Sequence, residues 1–237
     1  MGTGLQVGNL DRHGRRKKTS GGPLTPSRHS AIIGYTDKGS EMNSIVSVFA
    51  QATVAELAEG MNWYATARSA AQALASQHNL SLHTVAGVIA ALSPNMRWEL
   101  NVRAADTIIK AYKLGIPAED ATCPAYKANR RKAYQILAET ERANITKILN
   151  GNKIVNFYLC IVEPNCSAVC IDGHARNIYY GSREVLKGSR VTDKEYNLLV
   201  EEYNNATQAI NLAYNFQLTA MQVQAVTWVV WRRMHKI

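Results

Sequence analysis

A lysine and an aspartate, each at the opening of a helix, are the residues of this sequence best suited to act together. Lys153 stands directly after a turn made by Asn150, Gly151 and Asn152, and Asp172 follows nineteen residues later, between Ile171 and the pair Gly173 and His174. A lysine amine becomes a nucleophile once it loses its proton, and desolvation beside other cations favours that loss. A carboxylate accepts protons and stabilises positive charge growing on carbon. The glycine turn exposes backbone N–H groups where a helix begins. Such unpaired donors, with the helix dipole, suit an anion such as phosphate.

The elements that must position these residues are helical. Residues 144–149 read as a short helix and 153–162 as an apolar one, with the turn between them. After Pro164 and Asn165, residues 168–171 are short and extended, and 174–180 give one or two helical turns. Upstream, Trp63, Tyr64, Ala67, Ala70, Ala71, Leu74 and Ala75 recur at helical spacing from about Met61. Ser81 is placed to cap 82–92, which is apolar nearly all round and so reads as a buried helix. Residues 98–114 carry Val102, Ala105, Ile108, Ile109 and Tyr112 on one face, and 129–138 form a short basic helix. Two more helices, about 193–214 and 219–234, close the chain. About nine helices and little sheet predict an all-α fold.

The chain has 237 residues, 46% hydrophobic, enough for one sizeable core or two small lobes sharing an interface. No run is long and apolar enough for a membrane span, and the start lacks the apolar stretch of a secretory signal. A cytoplasmic protein with no membrane partner is expected, its four cysteines reduced. The net charge is +9, which suggests a polyanionic partner. Residues 1–40 hold seven Lys/Arg against Asp11 and Asp37, lack apolar periodicity, and read as a basic, disordered arm ahead of a helical domain over 41–237. Arg130, Arg131 and Lys132 add a second basic cluster.

Gly151, Asn152 and Lys153, followed a helix later by Ile171, Asp172, Gly173 and His174, resemble the helix-hairpin-helix (HhH-GPD) superfamily of DNA glycosylases and AP lyases, including endonuclease III. The resemblance extends upstream, where Leu92, Ser93, Pro94 and Asn95 are similar to the family's Leu-Ser-x-Gln segment. Phage-encoded proteins of this type are also similar over the whole chain, which would put the protein in a host cytoplasm. The resemblance implies a two-lobed helical fold with a cleft between the lobes and the hairpin at about 144–163. It implies double-stranded DNA as partner and removal of a damaged or modified base, with or without strand cleavage. Asp172 and Lys153 would be catalytic. Asn150, Gly151, Asn152, Asn95, Arg97, Arg130, Arg131, Lys132, His174 and Arg176 would contact DNA, with Asn95 filling the gap left by the extruded base. The sequence departs from the family's pattern at Leu149 and Asn150, where its hairpin has a first glycine and the residue after it. It also lacks a C-terminal four-cysteine run, so no iron–sulfur cluster, metal or other cofactor is expected.

Each residue also has a plainer reading. Asp172 before a helix is a standard N-cap, and Asn95 could cap the helix near Trp98. Lys153 could be a phosphate contact only, and His174 a structural hydrogen-bonding residue. Arg130, Arg131 and Lys132 could be a solvated face. Trp98, Trp228 and Trp231 read as core or lobe interface, and Arg232, Arg233 and Lys236 as partners of a helix C-terminus. Cys160, Cys166 and Cys170 lack a Cys-x-x-Cys spacing and read as thiols rather than metal ligands. Two other functions therefore stand beside the glycosylase: a non-catalytic DNA-binding module, and an enzyme of phage DNA base modification.

Overall fold

The computed structural model describes residues 44–183 and 191–237, and the basic arm expected over residues 1–40 lies outside them. Every regular element among the described residues is a helix. In order they are α1 (Ser44–Phe49), α2 (Val54–His78), α3 (Leu82–Leu92), α4 (Trp98–Lys113), α5 (Lys127–Ala138), α6 (Arg142–Leu149), α7 (Asn152–Val162), α8 (Gly173–Tyr180), α9 (Asp193–Tyr214) and α10 (Ala220–His235). The fold is all-α, as the periodicity predicts.

Local chemistry sets most of these boundaries. The Thr53 hydroxyl accepts from the Glu56 N–H while the Glu56 carboxylate accepts from the Thr53 N–H. This reciprocal cap starts α2 at Val54, ahead of the apolar pattern at Met61. Thr219 and Gln222 repeat it at the start of α10. Ser81 caps α3 through the Thr84 N–H at 3.0 Å. Asn79 and Asn215 end α2 and α9 in the left-handed conformation, where asparagine is tolerated.

The helices enclose two buried apolar clusters. In the first, α3 is the central rod, with every residue from Val85 to Leu92 buried against α2, α4, α5, α6 and α7. A Cβ at Gly87 would stand 2.9 Å from Ile145 Cγ2 and 3.1 Å from Ile136 Cγ2, so the missing side chain lets α5 and α6 approach. The second cluster joins α1, α8, α9 and one face of α10. Helices α2 and α10 wall both: Met221 and Ala225 face the first cluster, and Val223, Val226 and Val230 the second. They touch at Gly60, where a Cβ would lie 2.4 Å from Val226 Cα. No helix among the described residues is long and apolar enough to cross a membrane.

The segment after α7 threads between the clusters. Ala168 and Cys170 belong to the first, Val169 and Ile171 to the second. That alternation is the period of extended chain. It carries the backbone straight to Asp172, itself extended at φ −108° and ψ −178°.

Candidate functional site

The turn joining α6 to α7 is made by backbone conformation. Asn150 has φ +53° and Gly151 φ +89° with ψ 129°, a region open in practice only to glycine. No atom lies within 4 Å of where a Gly151 Cβ would stand, so glycine serves the turn and not a close approach. Gly151 is the N-cap of α7 and supplies no side-chain acceptor. Gly151, Asn152 and Lys153 are all exposed, and the Asn152 and Lys153 amides have no acceptor among the described residues, whereas the Ile154 amide donates to the Gly151 carbonyl at 3.2 Å. Lys132 reaches in from α5 and donates to the Leu149 carbonyl at 2.6 Å, and Lys147 donates to Asn144 Oδ1 at 3.1 Å. The Asn152 amide donates to Asp193 Oδ1 at 3.0 Å, tying the turn to the start of α9.

Asp172 stands at the N-cap of α8, where Oδ1 accepts the Ala175 N–H at 2.8 Å. The cap reading of this residue is thus realised. Its second carboxylate oxygen takes no hydrogen bond from the described residues. In extended chain Asp172 shares a side with Cys170, which faces α7. The Cys170 thiol donates to the Lys153 carbonyl at 3.6 Å. Burial pushes this thiol up to about 12, while the Lys153 charge pulls it down and the Asp172 charge pushes it up. The helix starts that carry the amine and the carboxylate are thus joined by one buried contact, and the two groups form no ion pair with each other.

Tyr196 of α9 holds this arrangement. Its hydroxyl donates to the Val169 carbonyl at 2.7 Å and accepts the Ile171 N–H at 3.2 Å. It also lies 3.4 Å from the Asn152 carbonyl. One phenol thus fixes the extended segment to the turn. Nothing in the sequence marks it among eleven tyrosines.

An aromatic wall continues from Lys153. Phe157 lies one turn further along α7, with its ring 6.0 Å from Trp63 and 6.5 Å from Tyr64. Trp63 also meets Trp98 at 5.4 Å and Trp228 at 6.1 Å, and the Arg232 guanidinium covers Trp228 at 4.6 Å. Trp63, Phe157, Trp98 and Trp228 are only partly buried, whereas Trp231 is core. Tyr64 is buried, and its hydroxyl is pushed up by burial first and by Cys170, Cys160 and Asp172 in turn.

The remaining expected DNA contacts fare differently. Arg130 is buried, not presented to solvent, because its guanidinium donates to the Ala121 carbonyl and holds the α4–α5 loop. This corrects its reading both as a phosphate contact and as a solvated residue. Arg131 is exposed and paired with Glu119 at 2.7 Å. Arg176 pairs with Glu195 at 2.7 Å and lies over the Tyr180 ring. Asn95 does not cap α4, whose N-cap position is the exposed Arg97 without a side-chain bond. Asn95 is exposed, adopts φ +58°, and donates to the Tyr126 hydroxyl at 2.9 Å. His174 has a buried Nδ1 with no hydrogen-bond partner. An open groove of about 370 Å³ lies between residues 165–168, α9 and α10, and it includes neither Lys153 nor Asp172.

These features define an all-helical protein with an exposed hairpin turn joined, through one extended segment, to a capping carboxylate. The chain belongs to the family described as Family of unknown function (DUF7178), whose model matches residues 34–235. No curated protein and no solved structure matches it.

Proposed function

We propose that this chain is a DNA N-glycosylase, with Lys153 and Asp172 as its reacting groups. The observation that supports this reading most strongly is that the Cys170 thiol, two residues before Asp172, bonds the Lys153 carbonyl at 3.6 Å and so brings the two helix starts together. The chemistry follows from the placement. The open amides of α7, with Lys147 nearby, take a DNA phosphate. A base turned out of the duplex stacks against Trp63 and Phe157, on the face of α7 that carries Lys153. The free oxygen of Asp172 stabilises positive charge on the sugar as the base departs. The Lys153 amine attacks C1′, the glycosidic bond breaks with its electron pair leaving on the base, and ring opening gives a Schiff base. Loss of a C2′ proton then expels the 3′ phosphate. Lys153 is exposed in the free protein, so the desolvation expected of a nucleophilic amine has to come from bound DNA.

Borohydride reduction during reaction with lesion-bearing duplex tests the amine's part. The expected result is a covalent adduct mapped to Lys153 and absent from Lys153→Ala. An adduct at another residue contradicts the assignment.

One observation favours a second reading. Asp172 already has a complete structural task, capping α8 through Ala175, and the groove of about 370 Å³ lies elsewhere. On this reading the hairpin grips DNA and no bond is cut. Salt-dependent duplex binding without base release from any substrate supports it.

A further inference from the structure

Four helices contribute one ring each to the aromatic wall. Trp63 of α2 touches Phe157 of α7 at 6.0 Å, Trp98 of α4 at 5.4 Å and Trp228 of α10 at 6.1 Å between ring centroids. All four residues are partly exposed, so they form one touching group at the surface. The interplanar angles of these contacts are 57°, 48° and 70°, so none is a parallel stack that would cover a ring face with another. Phe157, Trp63 and Trp98 rest against the first apolar cluster, whereas Trp228 packs against neither cluster. Trp228 is held by Trp63 and by the Arg232 guanidinium, 4.6 Å from its ring.

Cations flank the rings. Arg97 precedes Trp98 at the start of α4, Arg232 lies over Trp228, and Lys153 stands one turn before Phe157. All three are exposed, and none pairs with an aspartate or glutamate among the described residues. Arg131, Arg142, Arg176 and Arg233, by contrast, each pair with a glutamate. Glu59 and Glu99 are exposed near Trp63 and Trp98 in their helices, which leaves the patch a small positive excess and gives stacking the larger part in any affinity.

We infer that this patch binds a short run of unpaired nucleotides in single-stranded DNA. Unpaired bases stack on the rings, and their phosphates meet Arg97, Arg232 and Lys153. A fully paired duplex turns its base faces inward and can use the cations only. The inference rests on the glycosylase reading for the choice of DNA. It adds that the preferred target is open over several nucleotides, where that reading needs one extruded base.

The test titrates the full chain with an undamaged oligothymidylate of about eight nucleotides and follows tryptophan emission. Three of the four tryptophans, Trp63, Trp98 and Trp228, lie in the patch, and Trp231 is buried, so quenching reads binding at the patch. The expected result is quenching, with the single strand bound more tightly than a paired duplex of equal length at the same salt. Trp228→Ala should weaken single-strand binding by about 5- to 150-fold, and Trp228→Phe should retain most of it, because any aromatic face can stack. Arg97→Gln should reduce the slope of log affinity against log salt by about 0.7. The strands are undamaged and nothing is cut, so the result is read apart from base release. Base release without single-strand binding overturns the inference and leaves the glycosylase reading standing; single-strand binding without base release does the reverse. An absence of quenching, a duplex bound as tightly as the single strand, unchanged affinity in Trp228→Ala, or an oligouridylate bound more tightly than the oligothymidylate overturns the inference.

Discussion

The Cys170 thiol and the Lys153 carbonyl meet at 3.6 Å, and this contact joins the hairpin to the segment that ends in Asp172. Around it, the Tyr196 hydroxyl binds the same segment at Val169 and Ile171 and approaches the hairpin at Asn152. The relative placement of amine and carboxylate therefore depends on two small tethers, each of which can be cut singly.

Tyr196→Phe removes the larger tether. It leaves the Val169 carbonyl and the Ile171 N–H buried without their partner, a loss of about 1–3 kcal/mol. Thermal unfolding should shift down by roughly 2–10 °C. If the tether also positions Asp172, base release falls further than binding does. A variant with wild-type melting temperature contradicts the tether.

Gly151→Ala tests the turn. The added Cβ meets no atom, so any cost comes from holding φ +89° without glycine, of order 1–3 kcal/mol. Duplex affinity should fall with stability, because the amides at the α7 start shift. An unchanged melting temperature would mean that the turn is relaxed enough to accept alanine.

Gly60→Ala tests the α2–α10 crossing by contrast. Here the Cβ would meet Val226 backbone at 2.4 Å, and backbone cannot give way as a side-chain end can. Overpacking of this kind costs about 1–3 kcal/mol or more. Denaturant unfolding should show a clearly lower midpoint, and a loss below about 0.5 kcal/mol would contradict the crossing geometry.

Glu56 gives a pH dependence. Burial raises its carboxyl, but hydrogen bonds from Arg233 and from the Thr53 backbone and hydroxyl outweigh burial and hold it below 4.5. A carboxyl lowered by folding contributes stability above its unfolded value and loses it as pH falls through the folded one. Stability should therefore decline as pH drops below about 4.5, and Glu56→Gln should flatten that decline. The same slope in the variant would assign the acid sensitivity elsewhere.

Much of this fold is legible in the sequence. The all-round apolar run at 82–92 becomes the buried rod α3, and Ser81 caps it. The hairpin turn and the helix opened by Asp172 also stand where their residues place them. Helix α2 begins seven residues earlier than its apolar pattern, because Thr53 and Glu56 form a capping box in an alanine-rich stretch with little periodicity. The described helices number ten where the patterning suggested about nine, since α1 is a single apolar turn-and-a-half. Arg130 reads as surface in a basic run, yet the carbonyl of Ala121 draws it inside, a contact that only the folded loop creates. The alternation of residues 168–171 between two cores is likewise invisible until both cores exist. The site's supporting residues, Tyr196, Cys170, Trp63 and Phe157, come from four separate segments. No spacing rule gathers them.

The most direct measurement of the central claim is release of free base from a panel of damaged and modified duplexes by the wild type and by Asp172→Asn. Asparagine caps a helix about as well as aspartate, so this variant keeps α8 and removes only the charge. The account predicts base release by the wild type from at least one duplex, a loss of about 10²- to 10⁴-fold in the variant, and duplex binding retained by both. Equal rates for the two proteins, or no released base from any duplex, would contradict it.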